Sequence, residues 1–194
     1  RNEFNKLESG KMSGDEILAL CDLDNDIEIE LIDLSQLPSM HMTFENLNRL
    51  NEVIHEQLQD ENVLGIVITH GTDSLEETAY FLDLTINDNR PIIVTGSQKS
   101  SEDVGTDVYS NLRNSILVAA SKQAKNIGTC VVFNEKIFHA KYVKKSHSSS
   151  INGFGTIGYG MLGYIDNDEV IIYQKPANTE YYVIKQKYPT VELI

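Results

Sequence analysis

The sequence predicts an α/β protein in which a mainly parallel sheet is flanked by helices on both faces. Short apolar, β-branched runs recur at residues 63–69 (VLGIVIT), 91–95 (PIIVT) and 128–133 (GTCVVF), as parallel strands buried on both faces require. Between them lie stretches whose apolar residues return every three to four positions, the period of an amphipathic helix. Short connections in such an alternation imply right-handed crossovers and a three-layer, doubly wound (Rossmann-like) arrangement.

Residues 27–34 (IEIELIDL) alternate apolar and acidic positions before running apolar, and predict a first strand, followed by a turn at Pro38. Phe44, Leu47, Leu50, Val53, Ile54 and Leu58 form one stripe, predicting a helix over 43–58 with Glu45 in its first turn. After the strand at 63–69, a helix is predicted over 74–86. Ser74 stands three residues before Glu77, a capping-box spacing, and Leu75, Ala79, Leu82 and Ile86 make its apolar face. A further helix over 108–124 lies between the strands at 91–95 and 128–133, completing the order β-α-β-α-β-α-β.

Beyond Asn134 the pattern changes. Residues 136–144 read as strand or hairpin, 146–160 are rich in Ser and Gly, and 163–173 suggest a hairpin around Asp166–Asp168. Residues 178–194 carry weak signals, those of a linker or a terminal strand.

The 194 residues suffice for one main core, and 41% hydrophobic with 23% charged residues is an ordinary globular balance. A net charge of −13 opposes phosphate backbones and anionic lipid, so nucleic acid is not an expected partner. The cluster Lys141, Lys144 and Lys145 is too small to reverse that field. No apolar run reaches the ~20 residues of a membrane span, and the first residues resemble no signal or transit peptide. Cys21 and Cys130 lack CxxC spacing; one disulfide stays open, with reduced thiols in the cytoplasm the simpler expectation.

The place for chemistry is His70-Gly71-Thr72-Asp73, where a buried strand hands over to a helix, because open parallel sheets bind ligands at the C-terminal ends of their strands. Gly71 allows close backbone approach, Thr72 offers a hydroxyl and Asp73 a charge. A threonine hydroxyl needs a neighbouring base to act as a nucleophile, and Asp73 alone is too weak a base. Taken by spacing alone, Thr72, Asp73 and Ser74 read first as helix-capping residues, the usual job of such residues at strand-to-helix turns. His70 reads as structural, and His139 and His147 have no companion at metal-ligand spacing.

The full string GIVITHGTDSLEETAYFLDLT closely resembles the second signature of the type I/II L-asparaginases, threonine amidohydrolases that include glutaminase-asparaginases. It departs from the usual HGTDT at Ser74. RPIIVTGSQKSSEDVGTDVYSNL is similar to the family's strand, pocket loop and helix, with Ser97 in place of the small pocket-lining residue. NEKIFHAKYVKKSHSSSINGF resembles the hairpin bearing the active-site lysine, here Lys145 rather than Lys144. LSQLPSMHM resembles the segment whose serine contacts the substrate α-carboxylate, and Ser39 is preferred to Ser35; Met40 departs from the polar residue often found next.

The resemblance implies an amidohydrolase that converts L-asparagine, and in some members L-glutamine, to the acid and ammonia through a threonine acyl-enzyme without a cofactor. Thr72, Asp73 and Lys145 would be catalytic, and Ser39, Thr72, Asp73 and Ser97 would bind substrate. Residues 1–176 would form the larger N-terminal domain and 177–194 a linker or the start of a smaller C-terminal domain. The family's first threonine motif, T-G-G-T-I-A with a tyrosine-bearing lid, has no counterpart here. These residues alone are therefore expected to hold half a site without the usual nucleophile, and the full-length protein to be a homo-oligomer. Two alternatives share the motifs: an ammonia-generating subunit of a tRNA amidotransferase, and a noncatalytic amino-acid-binding or assembly domain.

Overall fold

In the computed structural model the described residues are 14–19, 21, 23, 27–177, 180–184 and 188. Among them four helices, α1 (Gly14–Ala19), α2 (Phe44–Gln57), α3 (Leu75–Thr85) and α4 (Val108–Ala120), accompany eight strands. The strands are β1 (Ile66–Thr69), β2 (Ile92–Thr95), β3 (Thr129–Phe133), β4 (Lys136–His139), β5 (Val143–Lys145), β6 (Phe154–Thr156), β7 (Gly163–Asp166) and β8 (Glu169–Ile172). Six form one sheet in the order β1-β2-β3-β4-β7-β8, while β5 and β6 pair separately.

The expected parallel sheet occupies only part of this sheet. β1 pairs with β2 and β2 with β3 in parallel, but β3–β4, β4–β7 and β7–β8 are antiparallel. The reason is local: Asn134 and Glu135 adopt positive φ of 50° and 63°, a turn that sends β4 straight back along β3, where a parallel neighbour would need a crossover. Asn167 and Asp168, at 46° and 65°, close the β7–β8 hairpin expected at that position.

Alternation along the strands divides the core between two faces. Ile92, Val94, Val131 and Phe133 face α2 and α3, meeting Leu50, Ile54, Leu75, Ala79 and Leu82. Ile93, Cys130, Val132 and Ile137 face the other way, toward Val118 and Ala119 of α4. Helices therefore cover both faces, as the sequence predicts.

The start of α2 follows from Thr43, whose hydroxyl accepts from the Asn46 N–H while the Asn46 side chain accepts from the Thr43 N–H, a reciprocal cap. α3 also begins after Ser74, but the expected Ser74–Glu77 box does not form: the Ser74 hydroxyl donates to the Ser39 carbonyl at 2.6 Å. α4 ends at Ala120, short of the predicted 124, because Ser121 turns extended and caps a separate 3-10 turn, Lys122–Ala124.

Two strand expectations need correction. Residues 63–69 yield a strand only from Ile66, and β1 is an edge of the described sheet that is half-buried rather than fully buried, with Ile66 and Ile68 packed on one face and Val67 on the other. Residues 27–34 form no strand, and 28–34 are exposed. Their alternation marks which side could be buried, but a strand exists only where a neighbour takes its backbone N–H and C=O groups, and among the described residues none does. Residues 136–144, read as strand or hairpin, hold strands in two different sheets: β4 joins the main sheet, and β5 pairs with β6. Cys21 and Cys130 are both buried, and no disulfide joins them. No helix among the described residues is long and apolar enough to cross a membrane.

Within the tail, residues 180–184 belong to no helix or strand among the described residues. The Tyr182 N–H donates to the Leu84 carbonyl, and the Tyr188 ring stacks on Phe44 at 4.7 Å.

Candidate active site

The site lies at the C-terminal end of β1. The chain leaves that strand through His70, turns at Gly71 and enters α3, so Thr72 and Asp73 stand in the turn itself. A Cβ on Gly71 would come within 2.7 Å of the Ser39 hydroxyl oxygen; glycine lets the segment around Ser39 close onto this turn. Ser39 is buried in the 3-10 turn Ser39–His41 that follows Pro38. Its hydroxyl accepts from the Asp73 N–H at 3.1 Å, while the neighbouring Met40 is exposed.

Lys145 arrives from β5, over seventy residues later in the chain. Its Nζ donates to the Thr72 hydroxyl at 2.8 Å and to Asp73 Oδ1 at 2.9 Å. The Lys145 side chain is 17% exposed and that of Asp73 58%, so the amine sits at the floor of the cluster and the carboxylate at its rim. Lys144, next in sequence, is 65% exposed and pairs instead with Glu76 Oε1 at 3.0 Å. The structure thus brings Thr72, Asp73, Lys145 and Ser39 together. Ser97 lies half-buried in the loop after β2, and no hydrogen bond joins its side chain to Thr72, Asp73 or Lys145 among the described residues.

The residue that does reach from that loop is Gln98, which sequence reasoning passed over. Its Oε1 accepts from the Thr72 hydroxyl at 3.4 Å, a long bond, and its Nε2 donates to the His147 carbonyl. Gly153 makes room for this amide, since a Cβ there would lie 2.3 Å from Nε2. Buried Asp107 holds the loop, accepting from the backbone N–H groups of Gln98 and Lys99. Among sequence signals, an aspartate at the start of α4 hints only at a helix cap; here its side chain makes no cap and serves the loop instead.

His70 is bound on both nitrogens, Nδ1 to the Gly71 carbonyl at 2.7 Å and Nε2 to the Thr78 hydroxyl at 3.0 Å. Burial holds its pKa below the usual imidazole range, opposed in part by the Gly71 carbonyl and Glu77. A neutral ring donating from Nδ1 and accepting at Nε2 satisfies both partners. Neither nitrogen bonds Thr72 or Lys145. No cluster of His, Cys, Asp and Glu side chains among the described residues has the geometry of a metal site.

An amine that donates both to a threonine hydroxyl and to a carboxylate, at the C-terminal end of a parallel strand, defines an α/β protein equipped for proton transfer to and from a threonine oxygen. The comparisons with known proteins narrow that class. Residues 2–178 match the family model described as "Asparaginase, N-terminal", and the chain belongs to that family. It is 47% identical over 194 residues to an L-asparaginase of Bacillus licheniformis, covering 100% of this chain and 60% of that one. With L-asparaginase 2 of Bacillus subtilis (strain 168) it shares 42% identity over 122 residues, 63% of this chain and 32% of that protein. The fold matches the crystal structure of a probable cytoplasmic L-asparaginase from Campylobacter jejuni with a TM-score of 0.82 and 34% identity, over 85% of this chain and 52% of that one. The chain therefore spans 60% or less of the length of these relatives.

Proposed function

We propose that this chain is the larger N-terminal part of an L-asparaginase-type amidohydrolase, which converts L-asparagine to L-aspartate and ammonia through a threonine acyl-enzyme. The observation that carries this reading is Lys145 Nζ lying between Thr72 Oγ1 and Asp73 Oδ1. A neutral amine there accepts the Thr72 proton as the threonine oxygen engages a carbonyl carbon or a water, and Asp73 stabilises the ammonium that results. The ammonium then gives that proton to the group that leaves: the amide nitrogen, released as ammonia, where Thr72 Oγ1 attacks the amide, or the threonine oxygen of the ester where Thr72 takes a proton from the attacking water. Ser39 and the Asp73 backbone fix the turn beside the substrate's α-carboxylate, and Ser97 lines the pocket.

The greater length of the relatives supports a longer polypeptide. In it, residues 1–176 form the catalytic domain, 177–194 link to a smaller C-terminal domain, and a further threonine motif supplies the attacking nucleophile. Thr72 then serves the water that hydrolyses the ester. The complete protein works as a homo-oligomer on a small amide substrate without a cofactor.

Ammonia release from L-asparagine and L-glutamine, measured on these 194 residues and on the chain extended with its native flanking sequence, tests the reading. Activity in the extended protein, lost on Thr72→Ala, is the expected result. Aspartate binding with no ammonia release in both proteins would replace it with a binding or assembly role.

A further inference from the structure

Two adjacent lysines compete for one site, and the strand that carries them is weakly specified. β5 contains three residues, and among the described residues its only ladder partner is β6, through Val143–Thr156, Lys144–Gly155 and Lys145–Phe154. Successive side chains of a strand point to opposite faces, so a one-residue slip would present Lys144 to Thr72 and turn Lys145 away. The apolar anchors Val143 and Phe154 resist that slip, but a ladder this short leaves the choice under-determined.

Glu76 supplies the missing specification. It stands in the first turn of α3, immediately after the turn that holds Thr72 and Asp73. Its side chain is 15% exposed, and each oxygen takes a donor from a different lysine: Oε2 accepts from the Lys145 backbone N–H, and Oε1 from Lys144 Nζ at 3.0 Å. One carboxylate therefore pins the strand at Lys145 and holds the competing ammonium on the outside. The adjacent Glu77 shares the same helix turn but is exposed. Helix-dipole stabilisation accounts for either glutamate, but only Glu76 reaches β5.

We infer that Glu76 is a positioning residue that sets Lys145, and not Lys144, against Thr72 and Asp73. This rests on the proposed amidohydrolase reading for its catalytic consequence, but not for its geometry. The test uses the extended chain and two readouts. In ammonia-release kinetics, Glu76→Ala is expected to lower kcat about 10- to 100-fold, the scale of losses from sub-ångström to ångström misplacement, with a much smaller change in KM. Glu76→Gln keeps an oxygen for the Lys145 N–H and is expected to recover most of that loss, while Glu77→Gln leaves kcat near the unsubstituted value.

Mass-spectrometric mapping of lysine acetylation supplies the second readout. Lys145 is expected to react more slowly than Lys144 in the unsubstituted protein, and the gap to narrow in Glu76→Ala but not in Glu77→Gln. Unchanged kcat or an unchanged labelling gap in Glu76→Ala overturns the inference, as does an equal kcat loss in Glu76→Gln and Glu76→Ala. If Glu76→Ala does not fold, Glu76→Gln decides by the same labelling gap: near-native discrimination supports the role, and the loss of it overturns the role. Lack of ammonia release in the unsubstituted chain with the labelling pattern intact would sink the amidohydrolase reading alone.

Discussion

Helix α3 has a carboxylate–base pair near each end, and the two pairs are built for opposite purposes. Before its N-terminus Asp73 meets Lys145 beside a hydroxyl, with the carboxylate 58% exposed. Near its C-terminus Asp83 faces His139 at 3.7 Å, with side chains only 8% and 5% exposed. Burial pushes the Asp83 carboxyl up and the His139 imidazole down, so each is driven toward its neutral form. The Lys141 N–H donates to His139 Nδ1, which places the ring proton on Nε2, buried and without a hydrogen-bond partner among the described residues. Asp83 Oδ1 accepts from the Thr129 N–H at 3.1 Å. The second pair joins α3 to the start of β3 and the end of β4. Access to solvent and a hydroxyl on the base set the first pair apart from the second.

The largest effect should come from the open pair. Lys145→Met in the extended chain is expected to reduce ammonia release about 10³-fold, the range of a lost general base, with circular dichroism unchanged. Retained activity would leave the open pair no more catalytic than the sealed one. The sealed pair should respond in the other currency. Asp83→Ala strands the buried Thr129 N–H and is expected to cost about 2 kcal/mol, or a fall in Tm of roughly 4–8 °C for a chain of this length. A double variant, Asp83→Leu with His139→Phe, should cost less than the two single variants summed, because it leaves no half of the pair behind.

Acidification probes a half-buried base near the open pair in the chain, His70. The His70 pKa is lowered by folding, so the unfolded chain binds the extra proton first. Its contribution to stability is present above the ordinary imidazole value of about 6.5 and is lost as pH falls from there through the folded pKa. Urea midpoints should drop across that window, and His70→Gln should flatten that part of the drop. His139 acts in the same direction and Asp83 in the opposite one, which is why the difference between variant and unsubstituted protein is the measurement needed. The smallest effect belongs to Lys144→Ala. Its ion pair with Glu76 is made by a lysine 65% exposed, and melting should shift by no more than about 0.5 kcal/mol in stability.

Much was legible from residues close together in the chain. The stripe from Phe44 to Leu58, the β-branched runs PIIVT and TCVVF, and the turn at Asn167–Asp168 each encode their element within a dozen residues. Thr72 and Asp73 could be placed on a strand-to-helix turn for the same reason. Lys145 could be picked from Lys144 only through a family resemblance, and Gln98, Asp107 and Glu76 were not found at all. Glu76 did carry a signal, as an acidic residue in the first turn of a helix, but that signal points to the helix dipole and not to a strand 69 residues away.

What the sequence by itself determined is local: which segments are helices or strands, which of their faces are apolar, and which turn carries a hydroxyl beside a carboxylate. Periodicity and turn chemistry act over a few residues, and they suffice for this. Only the tertiary structure decided that IEIELIDL finds no strand partner among the described residues, that the sheet turns antiparallel after β3, and that Ser74 binds Ser39 instead of capping α3. It also decided that one carboxylate–base pair is sealed and the other open. Pairing, burial and hydrogen bonding between distant segments depend on what the fold brings alongside, and a single residue's neighbours in space are not written among its neighbours in sequence.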